Sequence, residues 1–334
     1  MSDRPSPRQS YHALKDEAPE RAFLDALERG RLHHAWMLTG PEGLGKATFA
    51  YRAARRLLGA APDPRRGLLG SDPEDRVSRL VEQDAHPDFL VLERQVEGGK
   101  TKKSISVEEA RALPEFFSKS PSMARHRVAI VDAADDLNIN SANALLKTLE
   151  EPPAKTLFLL VSHSPGRLLP TIRSRCRALR FQPAARDVMT SWLHDLRPMI
   201  EMEEVRAIVA ASGGVPGKAL ALIDSDVAVM EKKLLAIAAG GDPENRLREA
   251  LAREVGGTSN RARLELVIDI VPGLLSRIAR ERPVDQIASV LAQWDRVQRT
   301  VRDAIRGSYD GAMVGFEIGN CLAELAPRQD KATR

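Results

Sequence analysis

The run Gly40-Pro41-Glu42-Gly43-Leu44-Gly45-Lys46-Ala47 constrains this chain more than any other stretch. It follows the short apolar run Ala35–Thr39 (AWMLT) and opens a segment, Ala47–Leu58, that reads as a helix. Strand, glycine-rich turn and helix, in that order, are the context in which G-x-x-x-x-G-K-[ST] cradles phosphate. The glycines let backbone N–H groups curl around an anion, and the helix N-terminus adds positive potential. Lys46 would reach the terminal phosphates. The candidate nucleotide-contacting residues are therefore Gly40, Gly43, Gly45, Lys46, Ala47 and Thr48.

The surrounding pattern supports this. Asp88–Leu92, Arg127–Ala133, Thr156–Ser162 and Arg177–Phe181 read as further strands. Between them lie segments with helical spacing: Ala18–Arg31, Val107–Ser118 and Asn140–Glu151. The second has Ser104 or Ser106 as candidate cap and Pro114 as a kink or break. The third is stopped by Pro152 and Pro153. Gly59–Asp75 and Val96–Lys103 read as loops, and the first dozen residues as disordered. Apolar strands alternating with helices predict a parallel sheet covered on both faces. That alternation stops near Pro183. Beyond it only helical periodicity remains, over Asp187–Ser212, Lys218–Ile223 and Glu244–Ala326, with Ala239–Pro243 as punctuation.

Composition narrows the rest. The 334 residues have room for two or three domains. No apolar stretch approaches the roughly 20 residues that span a bilayer, and MSDRPSPRQS lacks the apolar segment of a secretory signal. A cytoplasmic location and no membrane partner are the expectations. Cys176 and Cys321 are the only cysteines and cannot build a metal cluster alone. Fifty Lys and Arg against 46 Asp and Glu is a mixed solvated surface, a weak pointer to nucleic acid. Aromatics at 4% argue against a stacking platform for single strands.

The phosphate loop departs from its pattern at the last position. A Ser or Thr there would give its hydroxyl to magnesium, and Ala47 has none. Thr48 is one residue late, and a helix turns about 100° per residue, so it points elsewhere. The third strand shows a second loss. Hydrolysing enzymes of this fold usually follow the strand with Asp and then Glu, the Asp helping to hold magnesium and the Glu orienting water. Here Asp132 is followed by Ala133. Asp135 and Asp136 come later and could compensate, but read rather as surface or cap residues. Ala47 and Ala133 together predict a site that does not hydrolyse ATP efficiently.

At this point a resemblance is specific. Leu32-His33-His34-Ala35-Trp36, His86-Pro87-Asp88, the run from Ser141 to Pro153 (SANALLKTLEEPP) and Thr171-Ile172-Arg173-Ser174-Arg175-Cys176 resemble the delta-prime subunits of the bacterial DNA polymerase III clamp loader, within the AAA+ ATPases. The match is specific over about residues 20–183, weaker to about 225, and architectural beyond. The resemblance implies an α/β fold: a phosphate-loop AAA+ parallel-sheet domain at 1–183, a small helical lid at 184–240 and an all-α collar at 241–334. It implies Arg175 of the Ser-Arg-Cys triplet as an arginine finger acting in trans on a neighbour's ATP; from charge alone, Arg173, Arg175 and Arg177 would be a basic loop or the edge of a strand. Asp132 joins the phosphate-loop residues in a degenerate nucleotide site.

The resemblance further implies a component of the polymerase III holoenzyme without ATPase activity of its own. Gamma/tau and delta subunits would be its partners in a hetero-pentameric ring. The ring would act on the beta sliding clamp and primer-template DNA. No cofactor is required, with weak ATP or ADP binding left open. Many relatives carry a four-cysteine zinc module before the His-Pro-Asp segment, but residues 59–85 hold no cysteine, so no zinc is expected. Gly217 stands where active relatives place a nucleotide-sensing arginine, with Lys218 beside it. Ser162 is either a remnant phosphate sensor or a plain strand end. His33 and His34 read as packing or surface residues, and Trp294 and Phe316 as helical core. The competing reading is an active motor ATPase of the same loader. An unrelated phosphate-loop kinase or nucleotide switch is disfavoured by the helical C-terminal half.

Overall fold

The computed structural model describes residues 6–11, 17–98, 100–223, 227–257, 260–306 and 310–327. They fall into two compact units, with the boundary after Ala184.

The first unit holds a five-stranded, all-parallel sheet. Its strands are β1 (Ala35–Thr39), β2 (Phe89–Glu93), β5 (Arg127–Asp132), β6 (Thr156–Ser162) and β7 (Arg177–Arg180), in the spatial order β2-β5-β6-β1-β7. β6 and β1 are buried along their whole length. That is why they read as continuous apolar runs rather than alternating ones. The alternation is instead between two cores. Trp36, Leu38, Val128, Ile130, Leu157, Leu159 and Val161 face one side, with Phe49 and Leu57 of α2 (Lys46–Leu58) and Phe23 of α1 (Ala18–Glu28). Met37, Ala129, Val131, Phe158 and Leu160 face the other, with Leu113 of α4 (Val107–Ser118) and Leu145 of α5 (Ile139–Glu150). This is the parallel sheet covered on both faces that the pattern predicts.

Several local expectations change. Pro7–Gln9 forms a 3-10 turn rather than disordered chain. Arg8 pairs with Glu93 at 2.6 Å and with Asp84, and buried Tyr11 lies 4.0 Å under the Arg55 guanidinium. Polar composition there hid three anchoring contacts; the rest of the expected disordered stretch, residues 1–5 and 12, lies outside the described residues. Val96–Lys103 is not a plain loop but a short antiparallel pair, β3 (Val96–Glu97) with β4 (Lys100–Thr101). α3 (Arg76–Glu82) falls outside every helix that the sequence pattern predicts; Asp75 caps it by accepting the N–H groups of Val77 and Ser78. α4 runs through Pro114 without a break, starting from a Ser106–Glu109 capping box.

The His-Pro-Asp segment has a structural role. His86 Nδ1 accepts the Asp88 N–H at 3.1 Å. The fully buried Asp88 carboxylate accepts backbone N–H groups of Ser122, Met123 and Ala124 at 2.7–3.0 Å, with Arg127 at 3.4 Å. The residues just ahead of β5 are thereby fixed to the start of β2.

The short helix α6 (Pro170–Ser174) precedes β7. The second unit is helical. α7 (Arg186–Leu196) and α8 (Met202–Ser212) carry the helical periodicity over Asp187–Ser212, with a break at Pro198, which cannot continue α7. α9 (Pro216–Leu222), α10 (Val227–Gly240), α11 (Arg246–Val255), α12 (Arg261–Glu281), α13 (Val284–Arg306) and α14 (Gly311–Ala323) follow. α14 packs closely on α11 through Gly315 and Gly319. A Cβ on either would fall 2.3 Å from the Val255 side chain or 2.8 Å from that of Arg248. Trp294 and Phe316, expected in the core, are half-buried. Among the described residues no helix is long and apolar enough to cross a membrane.

Candidate functional site

The phosphate loop leaves the C-terminal end of β1, beside β7. Phe181 N–H donates to the Thr39 carbonyl at 2.8 Å, which places the Phe181 carbonyl over Gly40. A Cβ on Gly40 would lie 2.5 Å from that oxygen, so only glycine fits. Gly45, the N-cap of α2, sits at φ +78°, the left-handed region that favours glycine. These two constraints hold the loop open as a backbone cradle.

Lys46 is turned into this loop. Its ammonium donates to the Gly40 carbonyl at 2.6 Å and to the Pro41 carbonyl, and the side chain is 2% exposed. Burial pulls its pKa down to about 8, against the pull of Asp135, Asp132 and Glu42. Burial also pushes the Asp132 carboxyl above the ordinary range, with Lys46 and His163 acting against that and Glu93 and Asp136 adding to it. Ala47, at the position of the magnesium-holding hydroxyl, is half-buried without an oxygen, and Ala133 after Asp132 is buried. Thr48 is half-buried on the next position of α2. The sheet brings Gly40, Gly43, Gly45, Lys46 and Asp132 to one end of the fold, where Asp132 acts electrostatically on Lys46.

Asp135, which the sequence offers as a compensating carboxylate or as a surface or cap residue, belongs with them. Its carboxylate accepts the Ser162 hydroxyl at 3.1 Å, the His163 N–H at 2.6 Å and the Ser164 N–H at 3.1 Å. It is the first among the charges that favour protonated Lys46. The one available signal is its spacing, three residues past Asp132 and within the 3-10 turn Ala134–Asp136. Ser162 is thus engaged with Asp135. Asp136 pairs with Arg94 at 3.0 Å.

Arg175 lies at the other end. β7 pairs with β1 in parallel, Trp36 opposite Arg177 and Thr39 opposite Arg180. Trp36 to Gly40 is about 13 Å along the strand, and Arg175 precedes Arg177. So Arg175 and the phosphate loop occupy opposite ends of the same pair of strands. Arg175 caps the C-terminus of α6, with its side chain 36% exposed. Its Nη1 donates to the Thr171 carbonyl at 3.1 Å and its Nη2 pairs with Glu150 Oε1 at 3.0 Å. Of its neighbours, Arg173 is exposed, and Arg177 lies over the Trp36 ring at 4.7 Å. Cys176 packs against the core, where burial pushes its thiol up to about 12. His33 and His34 stack with ring centroids 4.3 Å apart, half-buried as expected.

In the second unit, Gly217 lies in the first turn of α9 and offers no side chain. Lys218 beside it pairs with Asp269 of α12 at 2.7 Å.

A family model described as DNA polymerase III, delta subunit, matches residues 15–185, just over half of the chain. The DNA polymerase III subunit delta' of Pseudomonas aeruginosa is 37% identical over 190 residues, covering 56% of this chain and 55% of that one. The DNA polymerase III subunit gamma of Buchnera aphidicola is 35% identical over 163 residues, covering 48% and 42%. The chain spans about half the length of the curated relatives it matches. Among solved structures, the Thermotoga maritima RuvB Holliday junction branch migration motor covers 78% of this chain and 86% of its own, at 19% identity and a TM-score of 0.44.

Proposed function

This chain belongs to the DNA polymerase III delta-subunit family, and we propose that it is a clamp-loader subunit whose own nucleotide site does not turn over ATP and whose Arg175 acts on a neighbour's. The observation that carries the reading is the separation of the two cations. Lys46 is folded onto its own loop, whereas Arg175 is presented at the far end of β7, out of reach of that loop. A guanidinium so placed serves no phosphate held by its own chain. It fits a phosphate held by the next subunit of a ring, where it would stabilise charge developing on the γ-phosphoryl group.

Ala47 and Ala133 supply the other half of the argument. Without the hydroxyl, magnesium lacks one ligand; without a carboxylate after Asp132, the attacking water lacks its orienting group. Weak ATP or ADP binding at Lys46 is compatible with this. In this proposal residues 184–240 act as a lid and 241–334 as a collar. The partners are gamma/tau and delta subunits, the ring acts in the cytoplasm, and it opens a sliding clamp and places it on primed DNA.

The experiment is ATP turnover, first by the isolated chain and then by the reconstituted loader. In the loader, motor sites other than the one next to Arg175 are disabled. The isolated chain should show no magnesium-dependent turnover, and Arg175→Ala should collapse turnover at the remaining site. Turnover by the isolated chain, or an Arg175→Ala loader as active as the unsubstituted one, overturns the corresponding half of the proposal.

A further inference from the structure

Arg175 is not a free surface side chain. Its backbone is anchored on both sides, by fully buried Ile172 and by Cys176 packed on the core. Its guanidinium is then held at two points, the Thr171 carbonyl and the Glu150 carboxylate. We infer that Glu150 is a positioning residue for Arg175, fixing the guanidinium so that its remaining N–H groups face outward to a partner's phosphate.

The placement of Glu150 supports this. It is the last residue of α5, where the helix macrodipole disfavours an anion and favours a cation such as Lys147 one turn earlier. Pro152 and Pro153 stop the helix directly after, so the carboxylate cannot shift along it. An acid set against its local potential and within 3.0 Å of a guanidinium is arranged for that guanidinium. A guanidinium has five N–H donors in a rigid fork. Two contacts are made inside the chain, to Thr171 and Glu150, which leaves an outward edge for two phosphate oxygens. Arg177, by contrast, is laid on Trp36, and no acid holds exposed Arg173 in the same way among the described contacts.

This inference rests on the finger reading of Arg175, and the test separates the two. The loader is assembled with only the Arg175-served site active, using Glu150→Ala, Glu150→Gln and Arg175→Ala chains. Glu150→Ala should lower kcat about two- to fivefold, the size expected of a half-exposed pair, with KM for ATP unchanged. Glu150→Gln, which keeps an acceptor, should lose less. In the free chain, phenylglyoxal should modify Arg175 faster in Glu150→Ala than in the unsubstituted protein, while thermal unfolding is unchanged. An unchanged or raised kcat in Glu150→Ala, or a raised KM alone, overturns the positioning role if Arg175→Ala still collapses turnover. If Arg175→Ala is also without effect, the finger reading falls and this inference with it.

Discussion

The two ends of the parallel sheet treat their cations in opposite ways. Beyond the C-terminal end of β1, Lys46 is 2% exposed and bonded to Gly40 and Pro41 of its own loop, and burial pulls its pKa down to about 8. Ahead of β7, Arg175 is a third exposed and is braced by Thr171 and Glu150. In the proposed reading, the first end is a phosphate cradle without the groups that drive hydrolysis, the second has a group that drives hydrolysis without a cradle, and each lacks what a neighbouring subunit's complementary end would supply. On that reading, activity is to be sought across subunit boundaries rather than within this chain.

Arg175 gives the most direct test of this contrast. In a loader with only the adjacent motor site active, Arg175→Ala should lower turnover by roughly 10³, about 4 kcal/mol of transition-state stabilisation. Lys46→Ala in the same loader should change it less than about tenfold. Equal losses would erase the distinction between the two ends.

A smaller effect concerns what holds the lower end of the sheet together. Burial alone would raise the Asp88 carboxyl, but the N–H groups of Ala124, Met123 and Ser122, with Arg127, hold it below the ordinary range. Asp88→Asn should cost about 3 kcal/mol in urea unfolding, since it also leaves Arg127 buried without its counterion. The sign with pH follows from a folded pKa below the unfolded one. The unsubstituted chain has the full contribution above the unfolded carboxylate pKa of about 4 and loses it as pH falls further. Asp88→Asn should therefore lose less stability below about pH 4. An identical acid limb in the two proteins would remove Asp88 from the account.

What is legible in the sequence follows from burial. β1 and β6 coincide with the expected Ala35–Thr39 and Thr156–Ser162, because strands buried on both faces leave unbroken apolar runs. α4 coincides with Val107–Ser118, because a capping box marks its start. α3 and α6 are too short, at seven and five residues, to show a helical period. α10 is apolar nearly all round (VAVMEKKLLAIAAG), so it carries little amphipathic signal. At the site, Ala47 and Ala133 can be read directly, because a missing oxygen is a property of residue type. The inward turn of Lys46, the reach of Asp135 to the end of β6 and the Glu150–Arg175 pair are properties of distance between segments. The sequence spacing hints at Asp135 alone, and does not give its partners.

Lys46 tests the buried end of the sheet through its charge. Its pKa falls from the ordinary 10.5 to about 8, burial being the main cause. A cation whose folded pKa is depressed costs stability progressively as pH falls from the unfolded value through the folded one, and the cost is constant below that. Lys46→Met should thus gain stability relative to the unsubstituted chain between about pH 10.5 and pH 7, by on the order of 2 kcal/mol. A pH-independent difference in chemical unfolding would mean that Lys46 is solvated like a surface lysine.

The smallest effect tests whether Asp135 belongs to the same electrostatic unit. Asp135→Asn keeps an acceptor oxygen for the Ser162 hydroxyl and the Ser164 N–H, loses the oxygen that the His163 N–H uses, and removes the charge. It should cost about 1 kcal/mol at pH 7 and push the Lys46 pKa still lower, because Asp135 is first among the charges that raise it. In a Lys46→Met background the electrostatic part of that cost has no partner, so the same substitution should cost less. The double-mutant cycle measures the difference directly. Strict additivity would leave Asp135 as a cap for the end of β6 alone. Coupling would tie the strand end, the carboxylate and the buried lysine into one unit that keeps Lys46 turned onto its own loop.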